Sequence, residues 1–187
     1  MTAPRPDISK KLAYADPPYP GCAKLYEDHP DYAGEVDHRE LVERLEAEYD
    51  GWVLHTHVAG LRMLERERIL PEGGIRICQW IKPFAAFKRN VPVAYAYEPV
   101  IIKAARKPVV SKRLTMRDWY ENPVVRESIA MKKGLTGAKV EGVCHWAFEV
   151  MAARPEDTLD DLYPGTGAVS AAWRSWQGKF NLPGEVA

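Results

Sequence analysis

Asp16, Pro17, Pro18 and Tyr19 follow one another in the chain. Together they supply a carboxylate, a rigid corner and an aromatic ring, a combination suited to gripping a flat ring that carries an amino group. The Asp16 carboxylate and the Pro17 carbonyl can accept hydrogen bonds from an NH2, while Tyr19 stacks on the ring. Pro17 and Pro18 offer no backbone N–H and exclude a helix. The plain alternative is a turn that ends a strand and does nothing more. A second stretch, Asp161-Leu162-Tyr163-Pro164-Gly165-Thr166-Gly167, carries another chemistry. Gly165 and Gly167 remove side chains where a ligand must come close to the backbone, although the third glycine of the dinucleotide fingerprint is missing.

The flanking residues define the elements that would position both stretches. A short strand beginning at Lys11 stops at Asp16, which places the acid at a strand's carboxyl end, the edge where open α/β sheets bind ligands. Residues 22–34 are a polar connection. Asp37 caps a helix that runs to Tyr49, with Glu40 completing a capping box and Leu41, Leu45 and Tyr49 at helical spacing. Trp52–Val58 reads as a strand, residues 59–70 as a helix, Pro71–Gly74 as a break and Ile75–Ile81 as a strand. This alternation predicts a parallel sheet with crossover helices. Tyr95–Lys103 reads as a further strand buried on both faces. Glu141–Met151 reads as a helix, Thr158–Asp160 as a strand and Ala168–Trp176 as the helix after the glycine loop. Residues 104–137 read as an irregular basic insert with a helical turn or two near 123–131. His55 and His57 would face one side of a strand, but no third ligand has fitting spacing, and Cys144-His145 likewise lacks further ligands. No metal site is predicted.

At 187 residues, 46% apolar and 28% charged, the chain reads as one globular domain over 1–187. No apolar run reaches the ~20 residues of a membrane span. The N-terminal residues lack an apolar signal region, and Cys22, Cys78 and Cys144 are odd in number and far apart. Both features point to a cytoplasmic protein. Net charge is zero, yet residues 100–140 hold ten Lys or Arg against Asp118, Glu121 and Glu127, a local charge of +7. Lys103, Arg106, Lys107, Lys112, Arg113 and Arg117 are the candidates for phosphate contacts; the alternative is a solvated loop.

Asp16-Pro17-Pro18-Tyr19 resembles the Asp/Asn/Ser-Pro-Pro-Tyr/Phe/Trp motif of the DNA amino-methyltransferases, which methylate adenine N6 or cytosine N4. Trp80-Ile81-Lys82 and Tyr97-Glu98-Pro99-Val100-Ile101 are similar to that family's paired strand ends. Lys139-Val140 stands where the family has Lys-Pro. Asp161 to Gly167 resembles its Asp-Pro-Phe-x-Gly-Ser-Gly loop, and the order of the motifs is that of the permuted, β-type members. The resemblance implies a Rossmann-like α/β sheet with helices on both faces, circularly permuted and shortened at its C-terminus, since twenty residues follow Gly167 where the family has two more strands. It implies S-adenosylmethionine as cofactor, held by Asp161, Tyr163, Gly165, Thr166, Gly167 and Asp16, with catalysis at Asp16, Pro17, Pro18 and Tyr19. The implied acceptor is DNA, adenine N6 favoured, with the target base flipped out of the duplex. The family's target-recognition insert would be the short 104–137 segment. A homodimer or partner chain could complete the cofactor site. Two alternatives stay open: a catalytically reduced nucleic-acid-binding accessory protein, and a methyltransferase acting on RNA or a small amine.

Overall fold

The structure, a computed structural model, describes residues 9–27, 34–86, 92–93, 95–107, 116–121 and 139–180. Its centre is a six-stranded sheet in the order β5-β3-β4-β2-β1-β6. The strands are β1 (Lys11–Ala15), β2 (Gly51–His55), β3 (Ile75–Ala86), β4 (Tyr95–Lys103), β5 (Trp119–Glu121) and β6 (Thr158–Asp161). Helices α1 (His38–Glu48) and α2 (Val58–Arg66) cover one face; α3 (Glu141–Val150) and α4 (Ala168–Gly178) cover the other.

Alternation along β1 and β2 explains the two layers. Leu12, Tyr14 and Val53 point into the core under α3 and α4, whereas Ala13, Ala15, Trp52 and Leu54 point into the core under α1 and α2. α1 starts where the sequence indicates, because Asp37 accepts from the backbone N–H groups of Arg39 and Glu40. Its Leu41, Val42 and Leu45 are buried against the sheet.

Two features depart from the sequence reading. The sheet is mixed: β1, β2 and β6 run parallel, but β4 lies antiparallel between β2 and β3. The connection from Ala86 to Tyr95 is too short for a crossover helix, so β3 and β4 must form an antiparallel pair. Only the inner end of β4 is buried, at Val100, Ile101 and Ile102, whereas Tyr95 and Tyr97 are exposed. The segment read as an irregular insert also contains a strand, β5, parallel to β3. Its Tyr120 hydroxyl lies where a Cβ on Gly142 would stand, so a larger residue there would push the Tyr120 side chain aside. The helical turns expected near 123–131 lie outside the described residues. Among the described residues no helix is long and apolar enough to cross a membrane.

Candidate active site

The two stretches singled out in the sequence meet at one sheet edge. β1 and β6 are adjacent and parallel with Tyr14 opposite Asp161, and the Leu162 N–H donates to the Tyr14 carbonyl at 3.0 Å. Asp16 and the Asp161–Gly167 loop therefore emerge side by side at the carboxyl ends of neighbouring strands. Pro17 is buried, and Pro18 and Tyr19 are half-buried.

Asp16 sits in an uneven environment. Its Oδ2 lies 2.8 Å from Lys139 Nζ, while Oδ1 is buried with no hydrogen-bond partner among the described residues. Burial pushes the Asp16 carboxyl above the usual carboxylate range, and the Lys139 ammonium offsets only part of that push. Lys139 Nζ is also 3.8 Å from Glu98 Oε2. Burial would lower the Lys139 ammonium, yet Asp16 and Glu98 together hold it above its ordinary value. Glu98 in turn pairs with Lys82 and accepts from the Tyr19 hydroxyl at 2.9 Å. Burial alone would raise the Glu98 carboxyl; Lys139 and Lys82 hold it below its usual range. Trp80 lies under both cations, 5.2 Å from Lys139 Nζ and 4.2 Å from Lys82 Nζ.

Tyr19 is half of a preformed stack, its ring 5.5 Å from that of His57 and 8° from parallel. His57 follows the strand and caps α2, its Nδ1 accepting from the Gly60 N–H. Behind Asp16, Tyr14 and His55 share a 2.6 Å hydrogen bond in the closed interior, with Cys144 3.9 Å from the Tyr14 hydroxyl. Burial drives the His55 imidazolium far down, so His55 is neutral, and it pushes the Cys144 thiol up to about 12. The two histidines read as facing one side have separate tasks. Among the described residues no group of three or more His, Cys, Asp or Glu could hold a metal ion.

In the glycine loop, Gly165 and Gly167 have φ of 47° and 74°, the left-handed region that favours glycine. Gly167 is the N-cap of α4, and a Cβ there would meet nothing within 4 Å. Open space beside a helix N-terminus suits a polar or anionic ligand group. Asp161 Oδ2 accepts from the Ser170 hydroxyl at 3.0 Å, and burial pushes the Asp161 carboxyl up. Thr166 is exposed in the loop, while Tyr163 is half-buried against the core under α1 and α2.

The basic residues divide. Arg106 is turned inward, making a two-pronged pair with Asp157 at 2.6 and 2.7 Å, and Lys103 pairs with Glu46 at 2.9 Å. The Arg106 pair is largely buried, whereas the Lys103 pair lies at the surface. Arg117 lies over Trp119 at 4.9 Å, and Lys107 is exposed. Lys112 and Arg113 lie outside the described residues. The folded site also draws in Lys82, Glu98 and Lys139, to which the sequence assigns no site role. Their signal is nonetheless in the sequence, at the strand-end pairs and the Lys-Val before α3.

No protein-family profile and no curated protein matches the chain. Among solved structures it is similar to the crystal structure of an M1.HpyAVI–SAM complex, with a TM-score of 0.55 and 17% identity over 91% of this chain and 79% of that one. The mixed sheet with helices on both faces is a Rossmann-like methyltransferase fold.

Proposed function

We propose that this chain transfers a methyl group from S-adenosylmethionine to an exocyclic amine of a nucleic-acid base, with adenine N6 in DNA as the favoured acceptor. One observation carries the reading: a buried carboxylate oxygen with no hydrogen-bond partner among the described residues, Asp16 Oδ1, stands at the strand end beside a left-handed glycine loop on the next strand. The likeness of the fold to an M1.HpyAVI structure holding SAM supports it. The open Gly165–Gly167 loop and the α4 N-terminus fit the polar methionine end of the cofactor, and Asp161 closes the same edge. When bound, S-adenosylmethionine supplies an electrophilic methyl on a sulfonium, whose C–S electrons stay on the departing sulfur as the amine nitrogen forms the new bond.

The chain's own residues prepare the amine. Asp16 Oδ1 and the Pro17 carbonyl accept its two N–H bonds, drawing the nitrogen toward tetrahedral geometry and freeing its lone pair from the ring. The Tyr19–His57 stack holds the base plane. Asp16, with its raised proton affinity, can take the surplus proton on Oδ1. Catalysis then rests on positioning and on fixed charge. The test is incorporation of labelled methyl into unmethylated genomic DNA, with RNA and free nucleosides as rival acceptors and the products separated as nucleosides. N6-methyladenine is expected. Label in RNA or free nucleosides alone would move the acceptor, and no label together with no cofactor binding by calorimetry would leave a non-catalytic accessory protein.

A further inference from the structure

Asp16 presents two unlike oxygens, one against an ammonium and one with no hydrogen-bond partner among the described residues, and the cause of the difference lies outside the Asp-Pro-Pro-Tyr stretch. We propose that Lys139 is a positioning residue for the transfer: it occupies Oδ2, leaves Oδ1 as the acceptor for the amine, and is held with Tyr19 in one unit by Glu98. The inference rests on the methyl-transfer reading above. A carboxylate on a short side chain rotates freely about its last bond unless something fixes it. Lys139 is the fixing group. It is 4% exposed, meets Asp16 at 2.8 Å and Glu98 at 3.8 Å, and lies over the Trp80 ring. Glu98 also ties the Tyr19 hydroxyl at 2.9 Å, so the acid that orients the amine and the ring that holds the base share one anchor. The anchor joins three separate pieces of chain: the end of β1, the β3–β4 pair and the residue before Val140 and α3. The neutral His55 behind Asp16 adds no competing charge.

A double-mutant cycle tests this, comparing wild type, Lys139→Met, Asp16→Asn and the double variant. The readouts are kcat for methyl transfer to unmethylated DNA and the dissociation constant of S-adenosylmethionine by calorimetry. Lys139→Met is expected to lower kcat by about tenfold or more while leaving cofactor affinity within about twofold. Lys139→Arg, which keeps the charge, should retain more of the rate. Asp16→Asn keeps an acceptor oxygen at Oδ1 but offers Lys139 no charge, so adding Lys139→Met to that variant should cost little or restore rate. The same fold-loss in both backgrounds would show that Lys139 acts independently of Asp16 and would overturn the inference while leaving methyl transfer standing. If Asp16→Asn has no measurable rate, the single variant decides: lower kcat at unchanged cofactor affinity supports the inference, and weakened affinity overturns it. A wild type that transfers no methyl group overturns the functional reading and this inference with it.

Discussion

Two carboxylates sit at opposite ends of the β1–β6 pair, each against a buried cation, and they are treated in opposite ways. Asp157, before β6, receives both prongs of Arg106 and the backbone N–H groups of Lys10 and Arg154 at 2.8 and 2.7 Å. Burial alone would raise its carboxyl, but these four donors hold it below the usual range. Asp16, after β1, has one ammonium on one oxygen and nothing on the other among the described residues, and burial pushes it up. Buried polar groups are ordinarily satisfied, so the first arrangement fastens the fold and the second holds a capacity in reserve for something that arrives. The amino ends of the strands are closed, and the carboxyl ends are left ready to bind.

The largest effect should come from breaking the closed end. Arg106→Met leaves Asp157, fully buried, facing only backbone donors, and should cost about 3–5 kcal/mol of stability, read from urea unfolding. A loss under about 1 kcal/mol would mean that the two ends are not built differently. Next comes the open end. Asp16→Ala removes the reserved acceptor and should lower methyl transfer by about 100- to 1,000-fold. Because Asp16 carries a burial penalty with one partner among the described residues, and Lys139 keeps Glu98 at 3.8 Å, the same change should cost less stability than Arg106→Met. A large fall in stability with modest loss of rate would reverse the assignment of the two ends.

The open end is legible in the sequence and the closed one is concealed. Asp16-Pro17-Pro18-Tyr19 and the Gly165–Gly167 loop are local patterns whose chemistry is carried by adjacent residues, so their roles can be read before the chain folds. The α1 cap at Asp37 and the alternating strands are legible for the same reason. Arg106 and Asp157 are distant in sequence, and nothing near Arg106 distinguishes an inward-facing arginine from the basic residues around it. Only the pairing of β1 with β6 brings Asp157 within reach. Lys139 is hidden similarly: its neighbours give a family likeness, but its contact with Asp16 depends on α3 packing over β1. The antiparallel β4 follows from the length of its connection to β3, and the three-residue β5 from pairing with β3, and neither has a periodicity to detect.

A smaller perturbation tests how rigid the closed end is. A Cβ on Gly51, the first residue of β2, would stand 2.7 Å from the Ala105 backbone nitrogen and 2.8 Å from its Cα. Ala105 cannot move aside easily, because its N–H donates to the Met151 carbonyl at 2.8 Å and the next residue is Arg106. Gly51→Ala should therefore cost about 1–3 kcal/mol by overpacking, read from the urea midpoint. Methyl transfer per folded molecule should be unchanged, because the strain falls at the end away from Asp16. Loss of rate in the folded variant would show that the two ends are coupled.

The smallest effect is the most discriminating, because its sign differs between the two acids. An unfolded aspartate titrates at about pH 3.9. Asp157 titrates lower than this in the fold, so its contribution to stability is full above that value and is lost as pH falls through the folded one. Asp16 titrates higher in the fold, so its contribution is full below the unfolded value and is lost as pH rises through the folded one. Urea midpoints measured from acid to neutral pH should show Asp157→Asn flattening the acid fall of the wild-type curve. Asp16→Asn should steepen that fall, by removing a contribution that strengthens as protons bind. If both substitutions tilt the curve the same way, Asp16 is an ordinary paired carboxylate, and the proposal that its Oδ1 receives the amine loses its support.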